Sequence, residues 1–96
     1  MLQTITDAIR NRLVLTFTYS GITRIVEPHA VGISKAGNLI LRCYQTHGGH
    51  ITPGHVWDLC EVHKMGDLRA TGDTFLAPRP GYRRGDKHMT HIYAEL

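Results

Sequence analysis

The stretch that decides this fold is Arg24-Ile25-Val26-Glu27-Pro28-His29, in which a proline interrupts an otherwise regular β pattern. It follows the segment Phe17-Thr18-Tyr19 and precedes the segment Asn38-Leu39-Ile40-Leu41-Arg42-Cys43-Tyr44. The two connections, Ser20-Gly21 and Lys35-Ala36-Gly37-Asn38, have the composition of tight turns. We therefore expect three consecutive antiparallel strands, at residues 14–19, 22–33 and 39–44. Because proline cannot donate to a ladder, the middle strand should be bent or lie on an edge at Pro28.

Residues 3–12, ahead of these strands, have the pattern of one short amphipathic helix. Thr4 and Asp7 resemble a capping pair at its start. Ten residues of helix are marginally stable alone, so we expect this helix to pack against another part of the fold. The apolar side chains that recur at helical spacing are Leu2, Ile5, Ala8, Ile9 and Leu13.

The second half of the chain is less regular. Residues 46–54 contain three glycines, two histidines and a proline, which is the composition of a loop. Residues 56–65 alternate only roughly between apolar and polar, so we expect a strand with a bulge or with both sides partly buried. Residues 68–75 predict a last strand. From Ala77 the chain should be extended, with a helical turn at residues 90–95.

Together these elements predict an α+β fold in a single domain spanning residues 1–96. Its core runs from about residue 3 to residue 75, and a basic C-terminal extension occupies residues 76–96. A short N-terminal helix precedes about five strands, and short antiparallel strands joined by tight turns commonly close into a small barrel.

Charge and cysteine content narrow the class of protein. The net charge of +3 favours polyanions only weakly, and most of the excess lies in residues 76–96. Cys43 and Cys60 each lie in an apolar run, so we predict free, buried thiols, with a cross-strand disulfide as the alternative. The N-terminus lacks an apolar signal core, and no apolar run approaches the roughly 20 residues that cross a bilayer. We expect a cytoplasmic protein without membrane contact.

Several of these segments resemble the WYL-domain family over roughly residues 5–75. In that family a helix with an Ala-Ile pair precedes a strand ending in Tyr, and an R-x-V-x-P element follows. The Trp-Tyr-Leu triplet of the family reads Leu39-Ile40-Leu41 here, and Lys64 alone keeps a basic side chain in the downstream element. The residues that carry the resemblance are Ala8, Ile9, Tyr19, Arg24, Val26 and Pro28.

This resemblance implies a strongly bent, Sm-like antiparallel β-barrel that senses a ligand or nucleic acid. In bacterial transcription regulators a winged-helix domain precedes the WYL domain, whereas stand-alone copies are associated with defence systems and phages. Because no winged helix is predicted in this chain, it resembles a stand-alone WYL module. The family also implies a homodimer or a higher homo-oligomer.

The candidate binding residues are basic and aromatic. Arginine and lysine would supply charge for a phosphate, and tyrosine would stack on a base. The alternative is that Arg24 and Glu27 are solvated strand residues and the tyrosines are half-buried in the core. The basic stretch at residues 78–87 would then be a solvated tail that packs on its own barrel or on a neighbouring subunit. Trp57 is predicted to be a core side chain, with a stacking or interface role as its alternative. The predicted binding set is Tyr19, Arg24, Arg42, Tyr44, Lys64, Arg83 and Arg84.

No pattern of catalytic or metal-binding residues emerges. No Ser, Cys or Thr has a recognisable nucleophile setting, and no glycine-rich phosphate loop precedes a helix. His47 and His50, like His88 and His91, have paired spacing, but a zinc site needs two further ligands. We predict no enzyme activity, no metal and no cofactor.

The sequence therefore predicts a regulatory module that binds a nucleotide-like anionic ligand or single-stranded nucleic acid, in transcriptional or defence-system regulation. The alternative is a protein-interaction or oligomerisation module that modulates a partner without binding nucleic acid. Such a module would use an exposed edge strand or the C-terminal extension.

Overall fold

A computed structural model describes residues 1–48 and 56–96. One helix precedes six strands, one more than the approximate number expected, and the predicted α+β class is confirmed. A 3-10 turn at Val62–Lys64 separates the fourth strand from the fifth. The elements are α1 (Leu2–Asn11), β1 (Leu13–Tyr19), β2 (Ile22–Ile33), β3 (Leu39–Gly48), β4 (Trp57–Glu61), β5 (Met65–Thr74) and β6 (His91–Glu95).

The six strands form one antiparallel sheet. Its order is β4-β3-β2-β1-β5, and β6 pairs with β2. Within the described residues the end strands β4 and β5 do not pair with each other, so the sheet is open. The α+β class therefore holds, without the closed ladder of a barrel.

β2 changes partner along its length, and Pro28 lies at the change. Residues 22–26 pair with β1, whereas residues 30–33 pair with β6. On the other edge, the register with β3 shifts between Pro28 and Ala30. A proline suits this interruption because it has no N–H to place in a ladder. The predicted break is confirmed, although Pro28 is buried in a central strand and not on an edge.

One face of the sheet packs against α1, and we call it the helix face. Ile5, Ala8 and Ile9 of α1 are at most 1% exposed. The predicted packing of the helix is confirmed, and this burial stabilises a helix that would be marginal alone. The sheet and the 3-10 turn contribute Leu15, Phe17, Val26, Val31, Leu41, Cys43, Cys60, Val62 and Met65 to the same core.

The start of α1 differs from the prediction. Met1 is the N-cap and no side chain caps the helix, so the predicted capping pair is wrong. Asp7 instead accepts a hydrogen bond from the Gln3 side chain at 2.7 Å. The helix ends at Asn11, because Arg12 adopts a left-handed conformation with φ of 51°.

The opposite face of the sheet is covered in part, over β2, β3 and β4, by residues 75–90, which we call the C-terminal segment. We call this side of the sheet the segment face. Met89 packs there with Ala30 and Ile40 in a second, smaller apolar cluster. The segment therefore belongs to the fold and is not a free tail.

The predicted helical turn at residues 90–95 is wrong. Residues 91–95 form β6, which pairs with residues 30–33 of β2. β1 pairs only with residues 22–26 of β2, so it leaves the backbone N–H and C=O groups of residues 30–33 without partners on that edge. Buried backbone groups need hydrogen bonds, and β6 supplies them.

Two other boundaries differ from the prediction. β3 continues to Gly48, because its last residues pair with Arg24 and Ile25 of β2. The predicted loop is therefore wrong at residues 46–48, and its remainder, residues 49–54, lies outside the described residues. The predicted strand at residues 56–65 is interrupted by the 3-10 turn, where Val62 is buried. This interruption explains the poor alternation of that segment.

Gly32 offers a direct test of the pairing between β2 and β6. A Cβ at Gly32 would clash with the backbone carbonyl of His91 and lie 2.9 Å from the Met89 sulfur. We expect Gly32→Ala to lower the free energy of unfolding, measured by urea denaturation, by about 3 kcal/mol.

Gly21→Ala is the matched control. No described atom lies within 4 Å of the added Cβ, and only the positive φ of 75° opposes the substitution. The expected cost is about 1 kcal/mol. Equal losses for the two variants would contradict the pairing of β6.

Candidate ligand-binding site

The C-terminal segment is held on the sheet by a buried carboxylate. Glu27 of β2 is 6% exposed, and its two oxygens accept hydrogen bonds from Nε and Nη2 of Arg79 at 2.7 and 2.9 Å. A buried carboxylate is costly unless it is paired, and this two-bond geometry is the strong form of the pair. The Arg79 guanidinium also lies 4.6 Å from the centroid of the Tyr44 ring.

His29 holds the same part of the segment. Its imidazole is fully buried. Nδ1 lies 2.8 Å from the backbone carbonyl oxygen of Glu27, and the backbone N–H of Arg79 donates to Nε2 at 3.0 Å. Because a carbonyl only accepts and an amide N–H only donates, the ring is neutral with its hydrogen on Nδ1. Three aromatic rings surround it, those of Trp57, Phe75 and Tyr82.

A second attachment lies at Asp86. Nε of Arg42, on β3, donates to Asp86 Oδ2 at 2.7 Å, and the backbone N–H of His88 donates to Oδ1 at 2.9 Å. Burial opposes ionisation of Asp86, but these hydrogen bonds and the Arg42 charge outweigh it and lower the pKa of the carboxyl. Asp86 is therefore ionised at neutral pH.

A third attachment comes from β6. Glu95 accepts a hydrogen bond from the backbone N–H of Gly85 at 2.9 Å. Its other carboxylate oxygen lies 3.1 Å from Nη2 of Arg84. Residues 79–86 are thus tied to β2, β3 and β6, and the loop between these ties has a defined position over the sheet.

Between these attachments, the segment and the sheet form a first cavity of about 460 Å³ that is partly open to solvent. Residues 81–88 form one wall, and Arg42 and Trp57 form the other. The rings of Trp57 and Tyr82 stand nearly parallel, with centroids 6.2 Å apart and an angle of 23°. Four cationic side chains line the cavity against the single carboxylate of Asp86: Arg42, Arg83, Arg84 and Lys87.

The four cationic side chains of the first cavity differ in whether a carboxylate of the protein already neutralises them. Arg42 is held by Asp86. Arg84 is paired with Glu95, yet its side chain stays 73% exposed. Arg83 and Lys87 form no ion pair with any residue in the described ranges. These two cations are therefore available to an incoming anion.

A second cavity, of about 620 Å³, lies beside the first. It is bounded by the turn at residues 34–38 and by Tyr19 and Lys64. Ile40 and Leu59 supply apolar lining. Residues 87 and 88 line both cavities.

The structure does not bring the predicted binding residues onto one surface. Arg24 is opposite Phe17, a core residue of the helix face. It is 5% exposed, and its Nη1 donates to Asp58 Oδ2 at 3.3 Å. Its guanidinium lies 5.1 Å from the centroid of the Tyr19 ring. Arg24 is therefore committed to the interior, which also excludes the alternative of a solvated side chain.

The other predicted residues lie around the two cavities. Arg42, Arg83 and Arg84 line the first cavity, and Tyr19 and Lys64 line the second. Lys64 is paired with Glu61 at 2.8 Å. Tyr44 is covered by Arg79 and contacts Trp57, with ring centroids 5.3 Å apart. Trp57 itself is half-buried and lines the first cavity, so it is not a simple core side chain.

Several residues of the site lie outside the predicted binding set: Glu27, His29, Arg79, Tyr82, Asp86 and Lys87. A local signal exists for the first two, because a charged and a titratable residue flank the proline of an apolar strand. Their role depends on Arg79, about 50 residues later in the chain. Sequence spacing alone does not connect these positions.

The cysteines and histidines show no sign of metal binding among the described residues. Cys43 and Cys60 are free and buried, as predicted. A hydrogen bond with Cys60, together with burial, raises the pKa of the Cys43 thiol. No three His, Cys, Asp or Glu side chains in residues 1–48 and 56–96 form a group that could hold a metal ion. Of the paired histidines, His50 lies outside the described residues.

Comparison of the chain with protein-family models, with curated proteins and with solved structures finds no match. The resemblance to WYL domains therefore stays a prediction. In the part of the chain that the structure describes, no helix is long and apolar enough to span a membrane.

The buried imidazole of His29 makes the stability of the fold depend on pH. Burial lowers the pKa of His29 below its ordinary value of 6.5, and the nearby Arg79 charge also lowers it. The hydrogen bond to the Glu27 backbone and the Glu27 charge act in the opposite direction. The unfolded chain therefore binds this proton more readily than the folded chain does. The free energy of unfolding should fall as pH decreases below about 6.5.

His29→Gln tests this assignment, because glutamine keeps a donor and an acceptor but does not titrate. We expect the decline in unfolding free energy between about pH 7 and pH 5, measured by urea denaturation, to be shallower in His29→Gln than in the parent protein. The comparison uses the slope, so it does not depend on the stability of the variant at pH 7. Equal slopes would contradict the role of His29.

Proposed function

We propose that this protein is a regulatory binding module that takes a nucleotide-like anionic ligand in the first cavity. The observation that carries the proposal is the meeting of four cationic side chains with the Trp57 and Tyr82 rings in one cavity. Arginine and lysine neutralise and hydrogen-bond phosphate oxygens. Aromatic rings stack on planar bases. A nucleotide combines the two groups that this lining suits.

We assign separate roles to the lining residues. Arg83 and Lys87 contact the phosphate, because they have no ion-pair partner among the described residues. Trp57 and Tyr82 form the surface for the base. Arg42 is fixed by Asp86, so it adds positive potential from a defined position. The proposal assigns no catalytic role to any of these residues.

Membership in the WYL family, with a strongly bent Sm-like barrel, is part of this proposal. Its support is the order of a helix with Ala8-Ile9, a strand ending at Tyr19 and the R-x-V-x-P element. This membership would imply a cytoplasmic homo-oligomer that acts in transcriptional or defence-system regulation.

The alternative function, a protein-interaction or oligomerisation module, has weaker support. β5 ends the sheet order and is largely exposed. However, its ladder with β1 has two register shifts, and it carries the charged residues Asp67 and Arg69. Bulges and charges on an edge strand discourage pairing with another chain. The C-terminal residues, which the alternative would also use, already pair with β2.

A nuclear magnetic resonance titration with adenosine 5′-monophosphate tests the proposed function. Up to about 10 mM nucleotide, which detects even millimolar affinity, we expect shifts of the residue 81–88 amides and of the Trp57 indole N–H. Arg83→Glu should weaken binding roughly tenfold, because it removes a charge-assisted phosphate contact.

Arg69→Glu is the control for this titration. It makes the same charge change on β5, where Arg69 is exposed and lines neither cavity. It should leave the affinity unchanged. The absence of shifts at residues 81–88, or an equal loss in the two variants, would contradict binding in the first cavity.

A further inference from the structure

The pair formed by Glu27 and Arg79 resembles a receptor and its bound ligand. Glu27 lies directly opposite Tyr44 in the ladder of β2 and β3, so the carboxylate and the aromatic ring are neighbours on the segment face. The guanidinium of Arg79 donates to both Glu27 oxygens, at 2.7 and 2.9 Å, and lies 4.6 Å from the centroid of the Tyr44 ring. A carboxylate beside an aromatic ring suits a guanidinium group in both charge and shape.

The two members of this pair differ in exposure. The Glu27 side chain is 7% exposed, whereas the Arg79 side chain is 41% exposed. The carboxylate therefore forms the floor of the site, and the guanidinium covers it from the solvent side. A buried carboxylate needs a cationic partner, but this geometry does not require that the partner be Arg79. Any guanidinium that reaches the same position can make the same contacts.

The Arg79 side chain can leave this position without release of the C-terminal segment. The backbone N–H of Arg79 donates to Nε2 of His29 at 3.0 Å, and its carbonyl oxygen accepts from the backbone N–H of Tyr82 at 3.2 Å. Pro78 and Pro80 fix their own φ angles, and each favours an extended conformation at the residue before it. The backbone is thus held on both sides of Arg79, and an exchange requires only rotation of the side chain about its χ angles.

We propose that Glu27 and Tyr44 form a binding site for the arginine side chain of a peptide partner. Arg79 occupies this site in the free protein and rotates outwards when the arginine of the partner enters. The site is separate from the first cavity, whose lining includes none of these three residues. It adds a peptide partner to the proposed nucleotide ligand.

The geometry selects arginine over lysine. The two oxygens of the Glu27 carboxylate are matched by two N–H groups of a planar guanidinium, whereas a lysine ammonium is a point charge that cannot make the same pair of bonds. The flat cation also stacks on the Tyr44 ring. The nearby imidazole of His29 does not repel it, because that ring is neutral.

The exchange is nearly balanced in energy, because one guanidinium replaces another. Arg79 is tethered beside the site and therefore has the advantage of a high effective concentration, on the order of millimolar or above. A short arginine peptide competes poorly with it, so a natural partner must make further contacts with the protein. Removal of the Arg79 side chain takes away this competition and exposes the site to a small probe.

The test titrates acetyl-arginine methylamide into the full chain carrying Arg79→Ala. Nuclear magnetic resonance follows the Tyr44 ring and the neighbouring Trp57 indole. This variant keeps the backbone N–H that binds His29 but leaves Glu27 without its partner. We expect the probe to bind at least tenfold more tightly to Arg79→Ala than to the parent protein. The probe should also raise the thermal midpoint of the variant.

Two controls separate recognition of the guanidinium from general effects of charge. Acetyl-citrulline methylamide has nearly the same shape without the charge, and it should bind Arg79→Ala at least tenfold more weakly than the arginine probe does. Arg69→Ala removes the same charge from an exposed position on β5, and it should bind the arginine probe no more tightly than the parent protein does. Equal affinity of the two probes, or of the two variants, would overturn the site.

Arg79→Lys keeps the proposal testable if Arg79→Ala does not fold. Lysine still neutralises Glu27, but it cannot make both hydrogen bonds. The arginine probe should therefore bind Arg79→Lys more tightly than the parent protein. An affinity no higher than that of the parent protein would overturn the site.

Methylguanidinium distinguishes an arginine of a peptide from a small cation. The arginine probe should bind Arg79→Ala more tightly than methylguanidinium does, because an arginine stem packs along the apolar surface beside its charged site. That surface here includes the exposed rings of Pro78 and Pro80. Equal affinities would assign the site to a small guanidinium ion and overturn the peptide partner.

Discussion

Glu27 and His29 are buried on either side of Pro28, and both need partners that the sheet alone does not provide. An isolated carboxylate in such a position would be strongly destabilising. Arg79 meets both needs, because its guanidinium pairs with Glu27 and its backbone N–H donates to His29. The position of the whole C-terminal segment follows from this contact. After Arg79 the chain reaches Asp86, which binds Arg42 of β3. It then pairs with β2 as strand β6.

The two faces of the sheet consequently differ in composition and in role. The helix face is closed by α1 and is almost wholly apolar, with the Arg24 and Asp58 pair as a polar exception. The segment face is covered by a chain rich in arginine and lysine, which leaves cavities between its attachments. Stability therefore comes mainly from one face, and the chemistry that can recognise an anion lies on the other. A strand has two faces of opposite character because successive side chains point in opposite directions.

Local sequence patterns predicted the elements that depend on near neighbours. The helix, β1, β2 and the tight turns follow from periodicity and turn composition, and the break at Pro28 follows from its missing N–H. The free cysteines were also predicted from their apolar surroundings. Arg42, Arg83 and Arg84 were named as binding residues, and all three line the first cavity.

What the sequence did not reveal depends on distant contacts. Arg24 and Arg42 are both arginines among apolar strand residues. However, Arg24 is paired with Phe17 across β1 and β2, and this pairing places its side chain on the helix face. β6 forms because β2 extends beyond the end of its pairing with β1, which leaves residues 30–33 free to pair. The sequence of residues 91–95 carries no sign of this unpaired edge. Likewise, nothing local distinguishes His29 from the other six histidines. Its role depends on the hydrogen bond from the backbone N–H of Arg79.

The most direct test of this account is hydrogen exchange at the backbone amide of Arg79, measured by nuclear magnetic resonance on the intact chain. If the segment is held by His29, this amide should be protected to a degree comparable with the amides of β2 and β3. The amide of Leu76, a residue that is 93% exposed, should exchange quickly. Rapid exchange at Arg79, while β2 and β3 stay protected, would contradict the attachment on which the cavities and their proposed ligand depend.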